Sequence, residues 1–137
     1  MANFLIGKGL MLAAVAVVLT IAMSSCQIAN NSTLAGYQRI SPGEANEIML
    51  SEVDYIILDV RTEEEYAQGH VPGAVLLPDY EIETRAEEVL PNKDQLILVY
   101  CRSGRRSKAA AEALIELGYT NVKDFGGIID WEYDIEK

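Results

Sequence analysis

The sequence predicts an α/β domain in which a parallel sheet is covered by helices on both faces. Two apolar runs, residues 55–60 and 96–100, show no polar alternation, the pattern of strands buried on both sides. Segments with helix start and stop signals separate the apolar runs at spacings that suit right-handed crossovers. The run 96–100 also delivers Cys101 into a short turn followed by a helix-forming stretch, at a strand end where ligand sites of such sheets lie.

In chain order, residues 1–25 read as an export signal. Lys8 is a thin positive region, residues 10–22 are apolar, and the small residues Ser24 and Ser25 precede Cys26. About thirteen apolar residues are short for a spanning helix, which needs about twenty. A cysteine directly after small residues resembles a bacterial lipoprotein signal, which implies lipidation of Cys26 and a membrane anchor facing the periplasm or cell exterior. Ordinary cleavage with a free Cys26, or an uncleaved anchor, stays open at this stage. Residues 26–36 are uncharged and without periodicity, which suits a flexible tether.

The folded part is expected over residues 37–137. Residues 37–40 form a short strand, and Ser41-Pro42-Gly43-Glu44 opens a helix to about Leu50, with Ser41 as cap and Glu44 in a capping box. Residues 55–60 are the next strand. Thr62 caps a helical turn over 63–68 that Gly69 ends, its glutamates placed for the helix dipole. A strand over 74–77, a helix over 81–90, the strand 96–100, a helix over 107–117 and a strand over 122–125 follow. Gly126-Gly127 then leads into a short helix through Trp131.

The formal net charge of −10 argues against a nucleic-acid binder, which needs a basic face. Four of the eleven basic residues, Arg102, Arg105, Arg106 and Lys108, nevertheless fall within seven positions. They sit at a helix start, against the dipole preference, and so point to local attraction of a small anion. If Cys26 carries lipid, Cys101 has no partner for a disulfide. A free thiol titrates near 8.5, and a helix N-terminus with neighbouring cations lowers that to roughly 3.5–7.5. Cys101 has both in reach, so it reads as a reactive thiolate needing no general base, cofactor or metal.

Several segments together resemble the rhodanese superfamily. Leu58-Asp59-Val60-Arg61, Glu65-Tyr66 and Gly69-His70-Val71-Pro72-Gly73-Ala74 are similar to its first signature. Tyr100-Cys101-Arg102-Ser103-Gly104-Arg105-Arg106-Ser107 is similar to its active-site loop. The stretches 117–122 and 126–131 are similar to its closing segment. The resemblance implies a three-layer sandwich with a five-stranded parallel sheet. It also implies a thiosulfate sulfurtransferase, with Cys101 as persulfide carrier and the loop Arg102, Ser103, Gly104, Arg105 and Arg106 wrapped around it. The donor would be a small sulfur anion, thiosulfate or a polysulfide, and the acceptor a thiol or cyanide.

Around that loop, Asp59, Arg61 and Ser107 are expected to act as supports, with Arg106 as the partner of Asp59. His70 is expected to be a structural turn residue, and Trp131 to line the pocket mouth or serve the core or a lid. A monomer is expected. Two other readings are carried forward. One is a non-catalytic rhodanese-like binding module. The other is a cysteine-loop phosphatase or arsenate reductase, against which the spacing speaks. Tyrosine-type phosphatases place their arginine six positions after the cysteine, where this chain has Ser107.

Overall fold

Five strands and four α-helices alternate along the described part of the chain, and the reason lies in which runs can be buried on two sides. The computed structural model describes residues 34–51 and 54–137. The expected signal over 1–25, Cys26 and the tether as far as residue 33 lie outside the described residues. The strands are β1 (Tyr37–Arg39), β2 (Tyr55–Asp59), β3 (Val75–Leu76), β4 (Leu96–Cys101) and β5 (Val122–Gly127). The helices are α1 (Pro42–Leu50), α2 (Glu63–Gln68), α3 (Ile82–Val89) and α4 (Arg105–Glu116).

The strands form one parallel sheet in the order β1-β5-β4-β2-β3, so β4 is central. All six residues of β4 are buried. Its side chains divide between two cores, as the two-residue period of a strand requires. Ile97, Val99 and Cys101 join Leu58, Leu77, Ile82, Ala111 and Leu114 on the α3–α4 face. Leu96, Leu98 and Tyr100 join Ile57, Ala45, Val71 and Phe125 on the face that also receives Ile48 of α1 and Tyr66 of α2. Each such large apolar side chain contributes about 1.5–3 kcal/mol on burial. The expected α/β sandwich with five parallel strands is present.

The expected capping box at Ser41 forms, and the expected Thr62 cap proves to be a second one. The Ser41 hydroxyl accepts from Glu44 N and the Glu44 carboxylate from Ser41 N, with the same exchange between Thr62 and Glu65. Several boundaries differ from expectation by a residue or two, and three of the differences have a local reason. The expected helix over 81–90 is a 3-10 turn, Asp79–Glu81, running into α3. α4 begins at Arg105, two residues before Ser107, because Gly104 turns the chain in a left-handed conformation and itself serves as cap. β5 continues through Gly126 and Gly127 past a register shift at which Val99 pairs with Asp124 but Tyr100 with Gly126. One extra residue, Phe125, is thereby accommodated in a bulge that brings Gly127 beside Cys101. Leu34 and Gly36 are tied to the domain by hydrogen bonds, Tyr37 N to Leu34 O at 2.9 Å and Val122 N to Gly36 O at 2.8 Å.

Candidate active site

Cys101 ends the central strand and is fully buried, still paired with Gly127 of β5. The chain leaves the sheet through Arg102 and Ser103 and reverses at Gly104, φ 98°, into α4. The Gly104 N–H donates to Cys101 Sγ at 3.0 Å. The N–H groups of Ser103 and Ser107 favour the anion of the same sulfur at the positive end of α4, as does the Ser107 hydroxyl beside it, which donates to Gly104 O at 3.2 Å and Gly126 O at 3.3 Å. Burial alone pushes this thiol up. The Ser107 hydroxyl and the N–H groups of Ser107, Gly104 and Ser103 outweigh it, and the net result lies below the ordinary cysteine value.

The tight loop depends on a missing side chain across from it. A Cβ at Gly127 would lie 2.2 Å from the Arg102 carbonyl oxygen, closer than any contact permits. The same carbonyl accepts from Ile129 N at 3.3 Å, which fastens the loop to the segment after β5. Gly104 in turn lies against the guanidinium of Arg39, which is held by the buried Asp124 at 2.6 Å. Neither Arg39 nor Gly127 stands near Cys101 in a local motif.

The basic residues divide sharply by partner. Arg39 pairs with Asp124, Arg61 with Asp59, Arg85 with Glu81, Arg106 with Glu65 and Lys93 with Glu87. Among the described residues, Arg102 and Arg105 are exposed and their side chains have neither ion pair nor hydrogen bond. The uncommitted arginine charge therefore sits on the two residues that flank the turn after Cys101. Beside Arg102 opens a cleft of about 510 Å³, lined also by Glu65, Gly69, Ile129 and Ile135.

The expected Asp59–Arg106 pair is not formed, and this corrects the sequence reading. Asp59 is claimed within its own turn. It accepts from Arg61 N at 2.9 Å, from Arg61 Nε at 2.9 and 3.0 Å and from Arg61 Nη2 at 2.7 Å. The Tyr100 hydroxyl donates to Asp59 as well and accepts from Val71 N at 3.0 Å. Asp59 and Arg61 are buried, so each supplies the compensation the other requires. The Tyr100 hydroxyl is pushed above its usual range, chiefly by burial and then by the Asp59 charge. Arg106 instead donates through Nη1 and Nη2 to the two oxygens of Glu65, both at 2.7 Å. Glu65, which the sequence reading placed as a dipole-favoured helix residue and in a signature segment, is thus the partner of Arg106.

His70 is a turn residue built into the end of the chain. Its ring stacks on Tyr66 at 3.7 Å, and its backbone exchanges both hydrogen bonds with Glu136. Trp131 packs against Phe125 and Tyr133 on the α1–α2 face, the side of the sheet away from Cys101, so it does not line the mouth of the loop.

A buried sulfur ringed by N–H donors at the carboxyl end of a central parallel strand defines an α/β protein with an anion-cradling cysteine loop. The profile of the rhodanese-like domain matches residues 41–134. Over 73 residues the chain is 44% identical to thiosulfate sulfurtransferase PspE of Escherichia coli, covering 53% of this chain and 70% of that one. Over 97 residues it is 32% identical to thiosulfate sulfurtransferase GlpE of Coxiella burnetii, covering 70% and 88%. A solved structure described as rhodanese with anions from E. coli superposes with a TM-score of 0.57 at 40% identity, over 61% of this chain and 98% of that one. The chain belongs to the rhodanese-like domain family.

Proposed function

We propose that the protein is a sulfurtransferase that carries a sulfane sulfur as a persulfide on Cys101. The observation that carries the reading is a buried thiol held below its ordinary value by N–H donors, next to two arginines with no other partner. Relatives named thiosulfate sulfurtransferase support thiosulfate as a donor. Arg102 and Arg105 draw the dianion to the loop, and the Cys101 thiolate attacks its outer sulfur. The S–S bond of thiosulfate breaks, sulfite leaves with the electron pair, and Cys101 holds a persulfide anion. The N–H groups of Ser103, Gly104 and Ser107 stabilise that charge without reorganising. A cyanide or thiolate acceptor then attacks the terminal sulfur and returns the Cys101 thiolate, so atoms and charge balance over the cycle.

Incubation of the purified protein with thiosulfate and cyanide is expected to give thiocyanate, and Cys101→Ser to give none above background. Wild type and variant turning over alike would refute the reading, as would an intact mass without a sulfur adduct after thiosulfate treatment. A binding module that does no chemistry predicts that second result.

The reading places the domain outside the cytoplasm on a lipid anchor at Cys26. Its support is the order of charge, apolar run, small residues and cysteine in residues 8–26. Cys26→Ala should release the protein from membranes, and retention would favour an uncleaved anchor.

A further inference from the structure

Arg106 stands in the first turn of α4, five residues after Cys101, yet it faces α2. Its pKa is raised first by the hydrogen bonds to Glu65, and the Cys101 charge contributes less. Both ends of its fork are committed to one carboxylate at 2.7 Å. Glu65 is itself fixed from a second direction, accepting from Thr62 N at 3.0 Å in the capping box of α2. The pair is half-buried and joins the two helical layers over the carboxyl edge of the sheet.

An unpaired arginine at this place would have a different effect on the loop. Its planar fork matches the oxygens of a tetrahedral anion, and together with the N–H groups at the start of α4 it would complete a clamp. A persulfide sulfur needs only the N–H groups. The donor's oxygens need only brief attraction at the mouth, from Arg102 and Arg105, because sulfite has to leave. We propose that Glu65 is a specificity-determining residue of the cysteine loop, which cancels the charge of Arg106 and engages its fork so that tetrahedral oxyanions are not retained beside Cys101. The usefulness of this selection rests on the sulfurtransferase reading, but the geometry and its test do not involve turnover.

The test is protection of Cys101 from iodoacetamide by inorganic phosphate or sulfate, read from the mass of the Cys101 peptide against chloride at matched ionic strength. Glu65→Gln, which keeps the size, drops the charge and replaces one of the two acceptor oxygens by a donor, so that the fork of Arg106 is released, should lower the half-protecting phosphate concentration by about tenfold. Structural damage alone does not produce a gain in affinity. In Glu65→Gln/Arg106→Gln the gain should vanish and protection return to within about threefold of wild type. A folded Glu65→Gln protein with unchanged or weaker protection would overturn the proposal. So would a double variant about tenfold weaker than wild type, since Arg106 would then already serve the anion. The double variant has no unpaired charge at the site, so weakened protection in it would overturn the proposal even if Glu65→Gln alone does not fold. Failure of thiocyanate formation would bear on the sulfur-transfer reading and leave this result readable.

Discussion

Tyr100 and Cys101 are consecutive residues of the central strand, both fully buried and both weak acids, yet their surroundings push them in opposite directions. Tyr100 points to the α1–α2 face, where its hydroxyl donates to a carboxylate, and burial and the Asp59 charge favour the protonated form. Cys101 points to the α3–α4 face, where its sulfur meets N–H donors and a hydroxyl that favour the anion. Burial is common to the two, so it does not decide the outcome. What decides it is whether the group across from the acid accepts or donates. One side of the strand end is built to hold a proton and brace the turn, the other to lose one and hold a charge.

The largest effect should come from breaking the brace. Asp59→Ala leaves Arg61 buried and without its carboxylate, a loss expected to cost about 3–5 kcal/mol of folding stability. Urea unfolding of the purified domain measures it. A cost under about 1 kcal/mol would mean that the Asp59–Arg61–Tyr100 network is incidental to the fold.

A second pair of substitutions separates the two faces. Tyr100→Phe removes a buried donor to Asp59 and the acceptor for Val71 N, and should cost about 1–3 kcal/mol of stability. It should leave the pH profile of Cys101 alkylation in place. Ser107→Ala removes the hydroxyl beside the sulfur that favours its anion and should slow alkylation about tenfold at pH values below the thiol's midpoint, moving that midpoint upward. If Tyr100→Phe moves the alkylation profile as far as Ser107→Ala does, the faces are coupled through the strand and the comparison fails.

Much of this arrangement is legible in the sequence, and the parts that are not share a physical cause. The two long strands are legible because β2 and β4 are covered on both faces and so lack polar alternation. Cys101, Gly104 and Ser107 are legible because they lie within seven consecutive residues. The partner of Arg106 is 41 residues away, and its pairing depends on how α2 and α4 meet above the sheet. No local spacing encodes that, and Asp59, two residues from its own arginine, looked equally available. Gly126-Gly127 reads as a strand breaker in sequence. In the fold it is the end of β5, where the absent side chain of Gly127 admits the Arg102 carbonyl.

The smallest expected effect concerns the pair that neither face owns. Glu65 is held at about 2 against an ordinary 4.5, first by the hydrogen bonds from Arg106, with burial opposing and the Thr62 N–H adding to the effect. A carboxylate whose folded value lies below its unfolded value contributes stability that is complete above the unfolded value. That stability is lost as pH falls through the folded one. The contribution of Glu65 should therefore be intact above about pH 5 and fade towards about pH 2. Because the pair is partly open to water, its size should be about 1 kcal/mol or less. Cys101, also depressed, follows the same sign, its contribution growing as pH rises towards the ordinary thiol value. Thermal midpoints of wild type and Glu65→Gln taken between about pH 5 and pH 2 should converge as the pH falls. Parallel curves over that range would place the low value of Glu65 in doubt, and with it the claim that Arg106 is fully engaged by α2.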